Sequence, residues 1–213
     1  MSLSSACAGS YQSGVYDSSI AFRAMHNMAA RGGPVLKPEC CAKLVALRAD
    51  LAALRSKEPN MHVVVYTQFV KSCRAVEMAV RQDGFAVIRF DGSTEAAKRS
   101  QLIRDFQAGL KPGRQPRPTV MVIMIKSGNV GLTLTAASRV YLLEPCMDPA
   151  AELQAAGRVH RLGQMAAVHV KKFCYKDTIE ERIVALQKKV AKAEVSLADG
   201  YVSKEAIAVL FNK

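Results

Sequence analysis

The chain has 213 residues, half of them apolar, and carries 30 Lys and Arg against 18 Asp and Glu, a formal net charge of +12. That size allows one domain of ordinary dimensions plus a tail, no apolar run is long enough to span a bilayer, and no membrane partner is expected. The positive excess is spread along the chain instead of gathered in a tail, which favours a polyanionic partner, nucleic acid first.

In chain order, residues 1–36 are rich in Ser, Gly, Ala and Tyr without clear periodicity and read as a poorly ordered leader. One short helix is expected there around "IAFRAMHNMAA". Leu44, Leu47, Leu51 and Leu54 then repeat at helical spacing over about 39–55. "MHVVVYT" (61–67) is a β-branched run of the buried-strand type. "FVKSCRAVEMAV" places Phe69, Cys73, Val76 and Val80 on one helical face, and "FAVIRF" is a strand. "DGSTEAAKRSQLIRDFQ" reads as a helix capped by Ser93 or Thr94, carrying Leu102, Ile103 and Phe106. "PTVMVIMI" (118–125) and "SRVYLLEP" (138–145) are buried strands, and "PAAELQAAGRVHR" is helical. "AAVHVKKFCY" alternates as a strand, and "DTIEERIVALQKKVAK" is a helix opened by a Thr178–Glu181 capping box.

Strands alternating with helices predict an α/β three-layer domain, a mostly parallel sheet with helices on both faces. Ligands of such sheets sit at the carboxyl ends of the strands. Gln68, "DGST", "KSGNVGLT" and "CMDPAAELQAAGRVHRLGQ" each follow a predicted strand and share that edge. Lys126, Ser127, Gly128, Asn129 and Gly131 are phosphate candidates, because a Gly-rich strand-to-helix turn exposes backbone N–H groups. Arg158 and Arg161 lie three apart between Gln154 and Gln164, with Gly157 beside them, and suit multivalent phosphate binding. The bland alternative is a solvated basic face or an ion pair with Glu152. His160 reads as a packing or hydrogen-bonding residue, and His26, His62 and His169 as carrying no chemistry.

Cys7, Cys40, Cys41, Cys73, Cys146 and Cys174 include no CxxC pair, so neither a zinc site nor a disulfide framework is expected. With nine methionines and no secretory signal, the composition reads as intracellular and reducing. The loop 108–118, "AGLKPGRQPRP", carries Lys111, Arg114 and Arg117 as a second basic element.

"VVVYTQF", "FDGST", "SGNVGLTLTAASRVYLLEP" and "ELQAAGRVHRLGQ" occur in the order and spacing of the C-terminal RecA-like lobe of Swi/Snf-type DNA translocases, which are helicase superfamily two ATPases. The resemblance runs over about 37–190, and "TIEERI" fits it as well. "EPCMDPAAELQAAGRVHRLGQ" looks most like the SNF-histone-linker-PHD-RING helicases and the helicase-like transcription factor group. The implied organisation is a leader (1–36), a RecA-like lobe (37–195) and a short C-terminal helical extension (196–213). The same likeness raises the expectation of a RING domain in the complete protein; this chain has no RING cysteines.

The resemblance implies roles position by position. Arg158 and Arg161 match arginine fingers reaching towards ATP. Gln154, Gly157 and Gln164 match positions that build that motif, and Gly131 supports the nucleotide. Thr67, Gln68, Ser93, Thr94, Lys126, Ser127, Gly128 and Asn129 match segments lining the DNA backbone. The chain departs from the family pattern at Met124, Asn129, Thr133, Cys146, Met147 and Asp148.

No GxxxxGK[ST] and no acidic DExx box occurs in the sequence. Those elements, and with them most of the grip on ATP and Mg2+, are expected on an N-terminal ATPase lobe supplied in cis or in trans. The leading expectation is therefore a half-motor: one lobe of a DNA translocase and chromatin remodeller, acting on double-stranded DNA and nucleosomes in the nucleus. The alternatives are a catalytically silent DNA-binding or interaction module, and an RNA helicase lobe.

Overall fold

The computed structural model describes residues 41–90, 92, 94–108, 117–126, 131–195, 197 and 203–211, together with the backbone of 12–16. In chain order the elements are β1 (Gln12–Tyr16), α1 (Ala42–Lys57), β2 (His62–Thr67), α2 (Val70–Gln82), β3 (Ala86–Phe90) and α3 (Ala96–Gln107). They continue with β4 (Thr119–Met124), β5 (Arg139–Leu142), α4 (Pro149–Ala156), β6 (His169–Tyr175), α5 (Ile179–Ala191) and α6 (Lys204–Phe211). The expected helix around "IAFRAMHNMAA" lies outside the described residues.

All the strand pairs are parallel, and the sheet runs in the order β1-β6-β5-β2-β4-β3. The α/β three-layer expectation is met. The segment read as a leader contributes the edge strand β1, pairing Gln12 with Lys171 through Tyr16 with Tyr175. Its composition gave no sign of this, because an edge strand can borrow its register from the backbone of the strand beside it.

Alternation along the central strands explains the layers. Val63 and Val65 of β2 join Leu44, Leu47 and Leu51 of α1 and Cys73, Val76 and Val80 of α2 in one core. Val64 and Tyr66 face the other way, into a second core with Phe90, Phe106, Ile123, Leu142 and Val159. A smaller cluster of Leu186, Val195, Ala206 and Leu210 joins α5 to α6, and Met147 packs against it. Among the described residues no helix is long and apolar enough to cross a membrane.

Three local readings are corrected. Phe69 is not on the buried face of α2: it is the N-cap residue, with extended φ −118° and ψ 134°, and is 57% exposed. A side chain placed before the first helical turn falls off the i, i+3, i+4 register. Strand β6 does not alternate cleanly, because Lys172, Phe173 and Cys174 are all buried. The capping box of α5 is shifted by one residue. Thr178 Oγ1 accepts from the Glu180 N–H at 3.2 Å, and the Glu181 carboxylate accepts from the Asp177 N–H at 3.0 Å.

Strand β2 lies between β4 and β5, so its own connection leads towards β3 on one side while the chain after β4 passes to β5 on the other. That is the switch point of the sheet, where α/β folds place ligands. The Ile125 N–H donates to Thr67 O at 2.9 Å and the Leu143 N–H to Tyr66 O at 2.9 Å, extending the pairing of β4 and β5 with β2 to that edge.

Candidate functional site

At the end of β2, Thr67 is buried and its Oγ1 donates to the two Glu144 carboxylate oxygens at 3.0 and 2.9 Å. The Gln68 N–H donates to the same carboxylate at 3.0 Å, and Gln68 Nε2 donates to Pro145 O at 3.0 Å. Burial pushes the Glu144 carboxyl above the ordinary carboxylate range, opposed first by the Gln68 N–H and then by the Thr67 hydroxyl. Thr67 therefore turns its hydroxyl inward, and Gln68 is braced against the segment leaving β5. Glu144 is a residue that sequence reasoning missed. Its signal was a charge closing the apolar run "VYLL".

After β3, Thr94 is half-buried and does not cap α3. The cap residue is Glu95, with φ −59° and ψ 139° and no side-chain cap bond. Arg99 from the same helix holds the turn, donating from Nε to Thr94 O at 3.0 Å while its guanidinium lies 5.6 Å from the centre of the Phe90 ring. Ser93 lies outside the described residues, as do Ser127, Gly128 and Asn129. Lys126 follows β4 and is exposed at the same edge. Within the 108–118 loop, residues 109–116 lie outside the described residues, and Arg117 is exposed.

The two arginines stand beyond the helix that the sequence assigned to them. Helix α4 stops at Ala156, and Gly157 is its C-cap with φ −64° and ψ −10°. A Cβ added to Gly157 would meet Leu153 O at 3.2 Å, a tight contact with the last turn of the helix. Arg158 and Arg161 follow in successive turns, both half-buried. The Arg158 carbonyl accepts from the Leu134 N–H at 2.9 Å. The Arg158 guanidinium lies near enough to Tyr66 to oppose the upward shift that burial gives the phenol. Arg161 folds across the same segment, donating from Nε to Gly157 O at 3.2 Å and from Nη1 to Thr133 Oγ1 at 3.1 Å.

Residues 131–137 and 157–164 thus form one unit, and Gln164 fastens it. Its Nε2 donates to Thr135 O at 3.0 Å, Ala137 O at 2.7 Å and Val159 O at 3.3 Å, and its Oε1 accepts from the Ala166 N–H at 2.9 Å. Gly131 opens the unit at φ +29°, a conformation disfavoured for residues with a Cβ. Gln154 is exposed on α4, and the His160 side chain is exposed instead of packed.

The ion pair envisaged between an arginine and Glu152 gives way to another. Glu152 is buried and pairs with Lys172 at 2.5 Å, while its Oε1 accepts from the Cys146 N–H and from Gln187 Nε2, both at 2.7 Å. Asp148 caps α4, accepting from the Ala150 N–H at 2.8 Å, so its carboxylate serves the chain's own helix. Burial, with the Glu152 and Glu144 carboxylates nearby, pushes the Cys146 thiol up to about 12.

Arg161 bears on whether these residues fit a phosphate. Its named partners are a carbonyl and a hydroxyl, both neutral, and charge-assisted bonds to an anion are the stronger kind. The arrangement therefore suits a phosphate at the carboxyl edge.

The model of the helicase conserved C-terminal domain matches residues 39–163. The chain belongs to that family. Among similar proteins, the Homo sapiens helicase-like transcription factor is 41% identical over 148 residues, which is 70% of this chain and 14% of that protein. The DNA repair protein RAD5 of Gibberella zeae is 38% identical over 148 residues, 70% of this chain and 12% of that protein. The chain therefore spans about one seventh of the length of such relatives. The C-terminal part of the Fun30 ATPase domain superposes with a TM-score of 0.63, covering 87% of this chain and 54% of that one at 22% identity, a likeness of fold. The Swi/Snf-type helicase lobe and the helicase-like transcription factor group, named from the motifs, agree with these relatives, and the RecA-like architecture agrees with the fold.

Proposed function

We propose that this helicase C-terminal lobe supplies arginine fingers and DNA-backbone contacts to an ATP-dependent DNA translocase of the remodelling and repair type. The observation that carries the reading is the single loop unit at the switch point, which places Arg158 and Arg161 against residues 131–135. In this unit Arg161 reaches Thr133 Oγ1 and the Arg158 guanidinium lies near Tyr66, while the strand ends at the same edge carry Gln68, Thr94 and Lys126.

ATP is the substrate, and its Mg2+ and most phosphate contacts belong to an N-terminal lobe in cis or in trans. Bound there, the nucleotide presents a γ-phosphoryl whose negative charge is what two cations can stabilise. Arg161 exchanges its neutral partners for phosphate oxygen, and Arg158 approaches from the adjoining turn. Such fingers are worth about 10³–10⁵ in rate once the phosphate is positioned. Gln164, Gly157 and Gly131 hold the loop that bears them, and Gln154 lies exposed on the helix leading into it.

On the DNA side, Gln68, Thr94 and Lys126 meet one strand through its phosphates, and the motif resemblance adds Ser93, Ser127, Gly128 and Asn129, which lie outside the described residues. Thr67 contributes through Glu144 and Gln68. A net charge of +12 supplies the long-range attraction. The partners of this reading are double-stranded DNA and nucleosomes, and the location is the nucleus.

The test is ATP hydrolysis by the chain combined with an N-terminal lobe of its family, with duplex DNA, single-stranded RNA or no nucleic acid added. Stimulation by duplex DNA supports the reading. Stimulation by RNA alone returns the lobe to the RNA helicase alternative.

A further inference from the structure

We infer that Lys172 and Gln187 are positioning residues for the arginine loop, acting through Glu152, so that the helices after the sheet set the placement of Arg158 and Arg161. The inference rests on the arginine reading proposed above.

The network joins three elements. Lys172 of β6 pairs with Glu152 of α4 at 2.5 Å and donates to Gln187 Oε1 of α5 at 2.5 Å. Gln187 Nε2 donates to Glu152 Oε1 at 2.7 Å and to Cys146 O at 2.6 Å. The Cys146 N–H closes the ring on Glu152 Oε1 at 2.7 Å. All three side chains are buried, with 2%, 5% and 7% exposure for Glu152, Lys172 and Gln187.

Stability alone does not account for such a group. A buried ion pair is often no better than well-packed apolar residues of the same volume, because desolvation cancels the attraction. Directional bonds do fix where a helix sits and how it is rotated. Helix α4 is short and its apolar anchors are small, Ala155 in the second core with Ala151 packed against it, while Leu153 is 66% exposed, so Glu152 is its one buried polar side chain. The helix runs from Pro149 to Ala156 and leads into Gly157 and Arg158. The loop is held from the 133–137 side by Gln164 and Arg161, and Glu152 sets the position of its other end, where the helix enters it.

Lys172 and Gln187 lie beyond the 39–163 family region. Gln187 is held in turn by the α5–α6 cluster, where Leu186 packs with Ala206 and Leu210 and Arg182 donates to Leu210 O at 2.8 Å. The packed pair α5–α6 therefore acts back on a loop that precedes it in the chain.

The experiment compares Gln187→Met, which keeps volume and the Glu152–Lys172 pair, with the triple apolar variant Glu152→Leu, Lys172→Met, Gln187→Leu. Hydrogen exchange is read on the chain alone. Amides 157–164 are expected to exchange about tenfold faster in both variants, with β2 and β4 protection unchanged. With the N-terminal lobe and duplex DNA, kcat is expected to fall about tenfold to a hundredfold at unchanged KM for ATP, with Lys172→Arg close to wild type. A folded Gln187→Met variant with wild-type exchange and wild-type kcat overturns the inference, even if the triple variant fails to fold. Arg158→Ala, run alongside, separates the two claims. If it keeps full kcat, the arginine reading fails, while exchange at 157–164 still decides whether the network positions the loop.

Discussion

At Gln164 one neutral side chain fastens the loop that carries both arginines. Its amide nitrogen meets the carbonyls of Thr135, Ala137 and Val159. Gln164→Ala leaves those acceptors unmet and is expected to cost about 1–3 kcal/mol, read as a lower urea midpoint. Gln164→Glu places a carboxylate against the same carbonyls and is expected to be worse than alanine. A glutamate variant as stable as wild type would remove the assigned role. His62 provides a pH signal of the opposite kind, from a residue the sequence left without a role. Its ring packs edge-on against Phe106 with centroids 5.3 Å apart, Nδ1 bonds to Asn60 O at 3.1 Å, and Nε2 is buried without a partner. Burial lowers its pKa. The unfolded chain therefore takes up the proton first, near pH of about 6.5, and stability falls as pH drops from there towards the depressed folded value. Unfolding free energies at pH 7.5 and 5.5 should show this loss in wild type and a smaller one in His62→Gln. Equal losses in both would place the pH dependence elsewhere.

At the scale of elements, periodicity made the sheet and most helices legible, because Val63, Val65 and the α1 leucines bury in the alternation and stripe that define strand and helix. It failed where tertiary bonds override local pattern. The arginine motif read as helix to its end, yet α4 stops at Ala156, and the Arg158 and Arg161 turns are held by partners from residues 133–137. No spacing rule announces such partners. Glu152 was read as a possible mate for the arginines, but Lys172 and Gln187, both distant in sequence, claim it instead. The motif resemblance located the candidate residues, while the division between those that face outward and those that brace, such as Thr67 on Glu144, required the fold. The cap of α5 shows the same limit on a small scale. Thr178 caps as expected, but Glu181 reaches Asp177, whose φ of 57° turns the chain into the helix. Thr178→Ala is expected to cost about 1 kcal/mol, measured by thermal unfolding. Loss of only a tenth or two would mean that the Glu181 bond to Asp177 suffices alone.

For the whole molecule, the switch point gathers the described candidate residues while two cores and the α5–α6 cluster hold the scaffold. The chain covers about one seventh of such relatives, and among the described residues the loop unit at the switch point brings Arg158 and Arg161 together. In the function proposed above, a reaction between two lobes places the charge-stabilising groups on one side and the phosphate cradle on the other. The most direct measurement is DNA-stimulated ATP hydrolysis by this chain mixed with the N-terminal lobe, in wild type and in Arg158→Ala and Arg161→Ala. The account predicts activity in the mixture and a loss of about 10³-fold or more in kcat for each variant, with duplex DNA binding by this chain retained. Arginine variants that hydrolyse ATP at the wild-type rate would contradict it and leave the lobe as a DNA-binding module.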